Sequence, residues 1–544
     1  MDVPGSLIGA LKPLTQPALD PGSAGGTGGR GVTRPVAVID MGASAVRLVV
    51  AELPSGQPPR IIDEATRAVQ LGRDAFTSGR LGAATIEAAL RSLDGFRRIM
   101  DSYGVVRYRA VATSAVREAI NRDTFLDRVR LRTGIDVEVI DGSEENRLGY
   151  MAVREALRDH PAALAGGDTL MIEVGGGSAD LSYLRKGEPI YSGTYALGAI
   201  RMRQNLAAWY GSHDQRVRLY RRTVQNIVQD MRREMPLRDA RHFLALGGDA
   251  RFVADQVAGE EEGASVRSFS RDRFLAFCDE TTTLDDEQLV DRYRLPLAEV
   301  ETLVPALIVY RELLQETQAE TVLVPDASLR AGLLLDMVRT EQGHGIEDFS
   351  GQVLASASAL GEKYRFDAPH ARQVALLATR LFDELSAEHG LGVRDRLLLE
   401  VAALLHDIGI FVNLRGHHKH GQYILSVSEI FGLSRDDMAI VSNVARYHRR
   451  GTPNKSHLPF MALDSEDRVL VNKLGAILRV ANALDADHLQ KVRDVRVVRE
   501  DEQWVLEVDG GGDMTLERLA ALARSDLLVE VFGRKVAFRE GART

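Results

Sequence analysis

Apolar and polar positions along the chain keep two rhythms, and the places where the rhythm changes mark its organisation. The stretch "VAVIDMGASAVRLVVAEL", residues 36–53, sets two apolar runs around Asp40 and a Gly/Ser turn, which predicts a β-hairpin with a carboxylate beside its turn. "RIIDEATRAVQLG" (60–72) reads as extended, "AATIEAALRSLDGFRRIMDSYG" (83–104) as an amphipathic helix and "RYRAVATSA" (107–115) as a strand. From about 161 the order begins again: "MIEVGGGSADLSYL" (171–184) repeats the apolar run, a carboxylate (Glu173), a Gly/Ser loop and a second run. "ARHFLALGG" (240–248) and "ETVLVPDASL" (320–329) follow as strands that end in polar or glycine-rich loops. Two α/β stretches with matching opening hairpins predict a duplicated fold with a cleft between its halves.

Helical periodicity dominates from about 345 to 495, in "HARQVALLATRLFDELSAEHG" (370–390), "RDRLLLEVAALLHDIG" (394–409) and "DRVLVNKLGAILRVANALD" (467–485). The end of the chain alternates in "VRDVRVVRE" (492–500), "QWVLEVDGG" (503–511) and "VEVFGRKVAFRE" (529–540), predicting short strands around one helix. The domains expected are therefore a disordered leader (1–34), two α/β halves (35–160 and 161–340), an all-helical domain (345–495) and a small α+β domain (496–544). The leader is expected because residues 1–34 are rich in Gly, Pro and Ser and lack a basic segment followed by an apolar core.

Composition narrows the function classes. No uncharged apolar run approaches the ~18 residues that would span a bilayer. A single cysteine, Cys278, excludes an intrachain disulfide and a cysteine-rich metal site, suits a reducing cytoplasm and leaves O and N donors for any metal. Net charge is −9, from 68 Lys and Arg against 77 Asp and Glu, so an anionic substrate must be held by local basic clusters. Candidates are Arg216, Arg218, Arg221 and Arg222, "RGHHKH" (415–420) and "RYHRR" (446–450). No nucleic-acid-binding module is recognisable, so nucleic acid is not an expected partner, nor is a membrane.

The two hairpin loops carry the candidate chemistry. Glycine lets successive backbone N–H groups converge on one anion, and phosphate is the obvious guest. A carboxylate beside such a nest would repel phosphate unless it held a cation or the attacking water, which casts Asp40 and Glu173 as Mg²⁺ (or Mn²⁺) holders. Arg117 in "ATSAVREAIN" offers a planar fork for phosphoryl oxygens. Glu144 and Glu145 open a helix after a Gly/Ser turn, where a carboxylate also serves as a capping group.

The segments "IDMGASAVRLVV", "ATSAVREAIN", "VIDGSEENRLGYM", "IEVGGGSADL", "YALGAIRM" and "PDASLRAGLLLDM" occur in the order found in the exopolyphosphatase / guanosine pentaphosphate phosphohydrolase family, which the chain resembles from about 36 to 335 and on through the helical part. The resemblance implies two actin-like (ribonuclease H-like) halves with a cleft, followed by an all-helical HD-like domain and a small α+β tail. It implies Glu145 as the general base that aligns water on a terminal phosphoryl group and Arg117 as a stabiliser of its charge. Gly42 and Ser44 fall in the first phosphate loop, and Gly175, Gly176, Gly177 and Ser178 in the second, with Asp40, Glu173 and Asp180 as metal holders. The reaction implied is hydrolysis of the terminal phosphoanhydride of inorganic polyphosphate, with guanosine pentaphosphate as a related substrate. Ala43, Ser44 and Ala45 stand where the family has "SNS", Glu173 and Asp180 exchange its Asp and Glu, and Asp249 replaces a Ser or Thr. These departures keep open a polyphosphate or guanosine-nucleotide sensor that turns over weakly; an actin-like phosphotransferase is a third reading.

In the helical part His370, His406 and Asp407 match three ligands of a His…His-Asp…Asp metal arrangement. The fourth position holds Asn482, with Asp485 about one helical turn away, so a hydrogen-bonding role tying helices together is preferred there. His417, His418, Lys419, His420, Arg446 and Arg449 are expected as basic walls of a polyphosphate channel. The family further implies a homodimer, and the cysteine content a cytoplasmic one.

Overall fold

The computed structural model describes residues 35–541 apart from 55–56, 161–163, 165, 208–209, 259–264, 342–348, 450 and 501–502. The leader expected over 1–34 and Arg450 of the second basic cluster lie outside the described residues.

Among the described residues three sheets form. The first has the order β3-β2-β1-β4-β5, from β1 (Val36–Met41), β2 (Ala45–Glu52), β3 (Arg60–Ala68), β4 (Arg107–Ala112) and β5 (Glu138–Val139). Its first three strands are an antiparallel meander, and β4 and β5 add in parallel after helical crossovers. The second sheet, β10-β11-β9-β6-β7-β8, repeats this plan with β6 (Thr169–Val174), β7 (Ala179–Arg185), β8 (Glu188–Tyr195), β9 (His242–Leu246) and β11 (Thr321–Pro325), and β10 (Val266–Ser270) is added at the edge. β6, β9 and β11 are parallel neighbours, as are β1, β4 and β5. The duplicated order answers the repeated hairpin in the sequence: each half places its first hairpin at the centre of its sheet, with buried apolar residues on both faces of β1 and β6.

Two helices lie between the halves. Gly142–Ala156 and Leu329–Glu341 pack on each other, and the second also packs on β1 of the first sheet. A Cβ at Gly332 would stand 2.3 Å from the Leu148 carbonyl oxygen, so glycine is what allows the two helices to approach this closely. Their apolar faces share one cluster with Val36, Val38, Leu244 and Leu246 from both sheets and with Phe349 and Phe431 from the helical part. A boundary near 340 therefore separates the chain by sequence, while the last helix of the second half is packed against the first.

The helical part holds Ala368–Glu384, Val393–Leu405, Arg435–Arg446 and Ser465–Ala483 around one apolar core. Asp141 docks it onto the halves: its Oδ1 accepts from the Glu144 amide (3.0 Å) and its Oδ2 from the Arg435 amide (2.8 Å), so one carboxylate serves two helix N-termini. The third sheet, β12 (Val492–Glu500), β13 (Gln503–Gly510) and β14 (Lys535–Glu540), starts inside the stretch expected to be helical and shares its core with those helices. "VEVF" is not a strand: Asp526–Phe532 is a helix, giving the tail two helices with Thr515–Arg524. Leu527/Val531 and Leu528/Phe532 set an i, i+4 pattern that outweighs four residues of alternation, and Gly533 at φ 71° closes the helix by donating to the Val529 carbonyl. Among the described residues no helix is long and apolar enough to cross a membrane.

Candidate active site

The C-terminal ends of β1, β4, β6, β9 and β11 open on one cavity of about 580 Å³ between the halves. This placement follows from the topology, because parallel strands end together and release their loops on the same edge. Asp40, Gly42, Ser44, Glu145, Glu173, Gly175, Gly176, Gly177, Ser178 and Asp180 all line it, although they lie up to 140 positions apart in sequence.

Each hairpin fixes its own carboxylate. Asp40 on β1 stands directly opposite Arg47 on β2, and Glu173 on β6 opposite Asp180 on β7. Opposed residues in an antiparallel pair project to the same face, so both members of each pair point into the cavity. The turns close in the same way, with the Gly42 amide donating to the Ala45 carbonyl (3.1 Å) and the Gly175 amide to the Ser178 carbonyl (2.9 Å). Among the described residues no carbonyl accepts from the Gly176 or Gly177 amide, which leaves these donors for a ligand. The loops also touch: a Cβ at Gly176 would meet the Ala43 methyl at 2.9 Å, and one at Gly177 the Ser114 hydroxyl at 2.2 Å.

The charges are uneven. Asp40 is paired with Arg330 (3.4 Å) and Arg47 (3.7 Å). Asp180 accepts from Thr194 Oγ1 (2.7 Å) and Ser178 Oγ (3.2 Å), yet burial raises its carboxyl above the ordinary range. Burial and the Asp180 charge push Glu173 up to about 7. Glu145 is raised well above its ordinary value by burial and by Asp180, with Arg117 opposing. Burial raises Asp249 to about 7, with Glu299 adding to the effect. Arg330 is conversely lowered, by burial first and then by Arg47 and Arg251, with Asp40 opposing. The cavity thus holds carboxylates short of positive charge beside guanidinium groups short of negative charge. Asp40, Glu173 and Asp180 present only oxygen donors, the type a hard divalent cation takes, and their mutual repulsion is what such an ion relieves.

Arg117 differs from expectation. It lies on the short helix Ser114–Glu118, and its Nη1 donates to Glu145 Oε1 and to the Ile140 carbonyl, both at 2.6 Å. It stands outside the lining and holds Glu145 from behind. The cations that do line the cavity are Arg47, Arg251 and Arg330. Arg47 was legible from hairpin register, five residues past Gly42; Arg330 and Arg251 gave no local signal, because only the folding of two distant loops brings them to Asp40 and Glu173. Glu144 turns away from the cavity and forms an ion-pair network with Arg147 (2.7 Å) and Arg109 (3.0 Å).

None of His417, His418, Lys419, His420, Arg446 and Arg449 lines the cavity. Lys419 and Arg449 are exposed, while Arg446 donates to Gln422. His417 is no channel wall: it is buried, with its Nε2 3.1 Å from Asp407 Oδ1. At the fourth position Asn482 donates to the His448 carbonyl (3.4 Å), and it is the neighbouring Asp485 that reaches His370, its Oδ2 2.7 Å from Nδ1. Asp485 reaches His370 because it lies past the end of the Ser465–Ala483 helix, where the chain leaves helical spacing.

A model of the Ppx/GppA phosphatase family matches residues 49–341, and one of Ppx/GppA phosphatase, domain III, matches residues 354–531. Guanosine-5'-triphosphate,3'-diphosphate pyrophosphatase of Pseudoalteromonas atlantica is 22% identical over 449 residues, covering 82% of this chain and 85% of that protein. Exopolyphosphatase 1 of Mycobacterium tuberculosis is 31% identical over 165 residues, which is 30% of this chain and 46% of that one. The solved structure of an exopolyphosphatase from Cytophaga hutchinsonii aligns with a TM-score of 0.51 at 22% identity, over 56% of this chain and 98% of that chain, a likeness of fold. With its duplicated halves, its paired glycine loops and a family match across more than half its length, the chain belongs to the Ppx/GppA phosphatase family.

Proposed function

We propose that this protein hydrolyses the terminal phosphoanhydride of inorganic polyphosphate, releasing orthophosphate, with guanosine 5'-triphosphate 3'-diphosphate as a related substrate presenting the same terminal group. The observation that carries this reading is the single cavity that combines free glycine-loop amides, three arginines and a buried carboxylate, Glu145, held by Arg117. The names of the relatives from Mycobacterium tuberculosis and Pseudoalteromonas atlantica support the substrate class.

Phosphoryl transfer asks a protein mainly for position and electrostatics. The Gly176 and Gly177 amides and Ser44 and Ser178 hold the terminal phosphoryl oxygens, while Arg47, Arg251 and Arg330 offset their charge. Glu145 accepts the proton of the attacking water as the P–O bond to the rest of the chain breaks, and the departing phosphate oxygen leaves with the electron pair. Arg117 keeps Glu145 oriented and favours its ionised form. Asp40, Glu173 and Asp180 would hold Mg²⁺ (or Mn²⁺), which would supply charge neutralisation at the transferring group.

Phosphate release from long-chain polyphosphate in Mg²⁺ tests the reading with wild type and Glu145→Ala. The expected result is release by wild type and a loss of about 10²-fold or more in the variant, as removal of a general base predicts. A wild type that binds polyphosphate and releases no phosphate is a sensor, and the hydrolase reading then fails.

A further inference from the structure

The helix that carries Glu145 turns two further residues toward the cleft, and the mechanism above uses neither. Asn146 and Gly149 line the cavity together with Glu145. At about 100° per residue the three fall within roughly 100° of the helix surface, and Gly149 lies between the other two in angle, about one turn along. Met171 of β6 lines the same stretch. It is buried, as are Gly149 and Asn146, the last only 3% exposed, so this is the inner end of the cavity.

Asn146 is held at one end only. The Ser182 hydroxyl donates to its Oδ1 (3.1 Å), while its Nδ2 is buried and has no hydrogen-bond partner among the described residues. Ser182 stands two residues past Asp180 on β7, on the same face of the strand, and Glu173 stands opposite Asp180. A reversed amide would set a carbonyl oxygen among the carboxylates of Glu145, Glu173 and Asp180, where acceptor meets acceptor. The N–H₂ end is therefore the one left over. A buried N–H without a partner is costly, and proteins satisfy nearly all of them, with water where no protein atom reaches.

Gly149 supplies the room. A Cβ placed there meets nothing within 4 Å, so no close packing calls for glycine at this interior position of the helix. Its effect is open space between a carboxylate and an amide donor. Arg117 occupies Glu145 Oε1, which leaves Oε2 as the acceptor for another partner. Room flanked by a donor and an acceptor suits a bound water.

We infer that Asn146 positions the attacking water: its Nδ2 donates to the water oxygen while Glu145 Oε2 accepts a water hydrogen, in the space over Gly149. The inference rests on the hydrolase reading and names the device that orients its nucleophile. With the terminal phosphoryl on the glycine loops and the polymer leading out to solvent, a water at the inner end stands opposite the leaving oxygen, as in-line displacement requires. The water oxygen forms the new bond to phosphorus and its proton passes to Glu145. The bridging P–O bond breaks, and its electron pair leaves with the departing chain. Ser182 acts through Asn146, by fixing the plane of the amide.

The test compares wild type, Asn146→Ala and Gly149→Ala, as full chains, on long-chain polyphosphate in Mg²⁺, with kcat, KM and thermal melting measured for each. Asn146→Ala is expected to lose about 10-fold or more in kcat with KM within about twofold of wild type, because the amide acts on the water and not on the polymer. Gly149→Ala is expected to lose kcat by about as much while melting no lower than wild type, since alanine is the better helix former and its methyl enters open space. A variant that only disturbed packing would melt lower as it slowed, so Gly149→Ala separates water placement from a structural role, and it decides alone if Asn146→Ala does not fold. The inference fails, and the hydrolase reading stands, if wild type releases phosphate, Glu145→Ala does not, and either new variant keeps the full kcat. It fails also if the main effect of Asn146→Ala is a raised KM, which would make the amide a ligand of the polymer. A wild type that releases no phosphate overturns both readings.

Discussion

Glu173 and Asp180 face each other across one hairpin, and burial, with the Asp180 charge added to it, sets the pH behaviour of Glu173. Glu173 titrates near 7 in the folded chain, against about 4.3 when unfolded, so between these values the folded state holds a proton that the unfolded state has lost. Folding stability is therefore fully present at low pH and declines as pH rises through 7. Glu173→Gln removes that decline: in chelator-treated protein at pH 8 the variant is expected to exceed wild type by up to about 4 kcal/mol, converging with it below about pH 4. Thermal melting across pH checks this, and no difference at pH 8 would overturn the assignment. Glu145 yields a kinetic counterpart. Its carboxyl is raised by burial and by Asp180 while Arg117 opposes, so the acid limb of kcat/KM should lie above the ordinary carboxylate range. Arg117→Met should move that limb to still higher pH, since it removes the opposing charge; a limb left in place would show that Arg117 does not act through Glu145.

At the scale of elements, the Gly142–Ala156 helix carries Glu145, is capped by Asp141 and crosses Leu329–Glu341, which carries Arg330. The crossing thus ties the proposed base to a cation beside Asp40. Gly332→Val should force these helices apart at the Leu148 carbonyl, costing about 1–3 kcal/mol of stability. Activity should fall by about 10-fold or more, because displacements on the order of 1 Å at a reacting group are felt strongly. Melting and phosphate release on the same preparation check both effects, and an unaltered rate would place the crossing outside the catalytic apparatus. The elements themselves were largely legible. The two hairpins, the Ala83–Ser102 helix and the strands before each glycine loop follow from periodicity and turn residues. "VEVF" misled because four alternating residues carry less information than the i, i+4 pairs Leu527/Val531 and Leu528/Phe532, the last of which seats Phe532 against the Trp504 ring.

Across the whole molecule, Asp141 is the polar link between the helical part and the helix that bears Glu145, with Tyr150 and Phe431 as its apolar counterpart, their rings edge to face at 5.4 Å. Asp141→Ala strips a cap from two helices and should cost about 1–2 kcal/mol. Amide exchange should quicken at the starts of both helices; exchange that quickens in only one would show that the carboxylate does not join them. The sequence by itself determined the duplicated α/β plan, the helical part, the two glycine loops and their carboxylates, and the family, because these are properties of local pattern and of motif order. Only the tertiary structure decided that Arg251 and Arg330 serve the cleft, that Arg117 stands behind Glu145, that Asp485 answers His370, and that His417 meets Asp407. Each of those contacts joins residues from separate elements, and their meeting depends on strand order and helix crossing, which residue spacing along one segment does not encode.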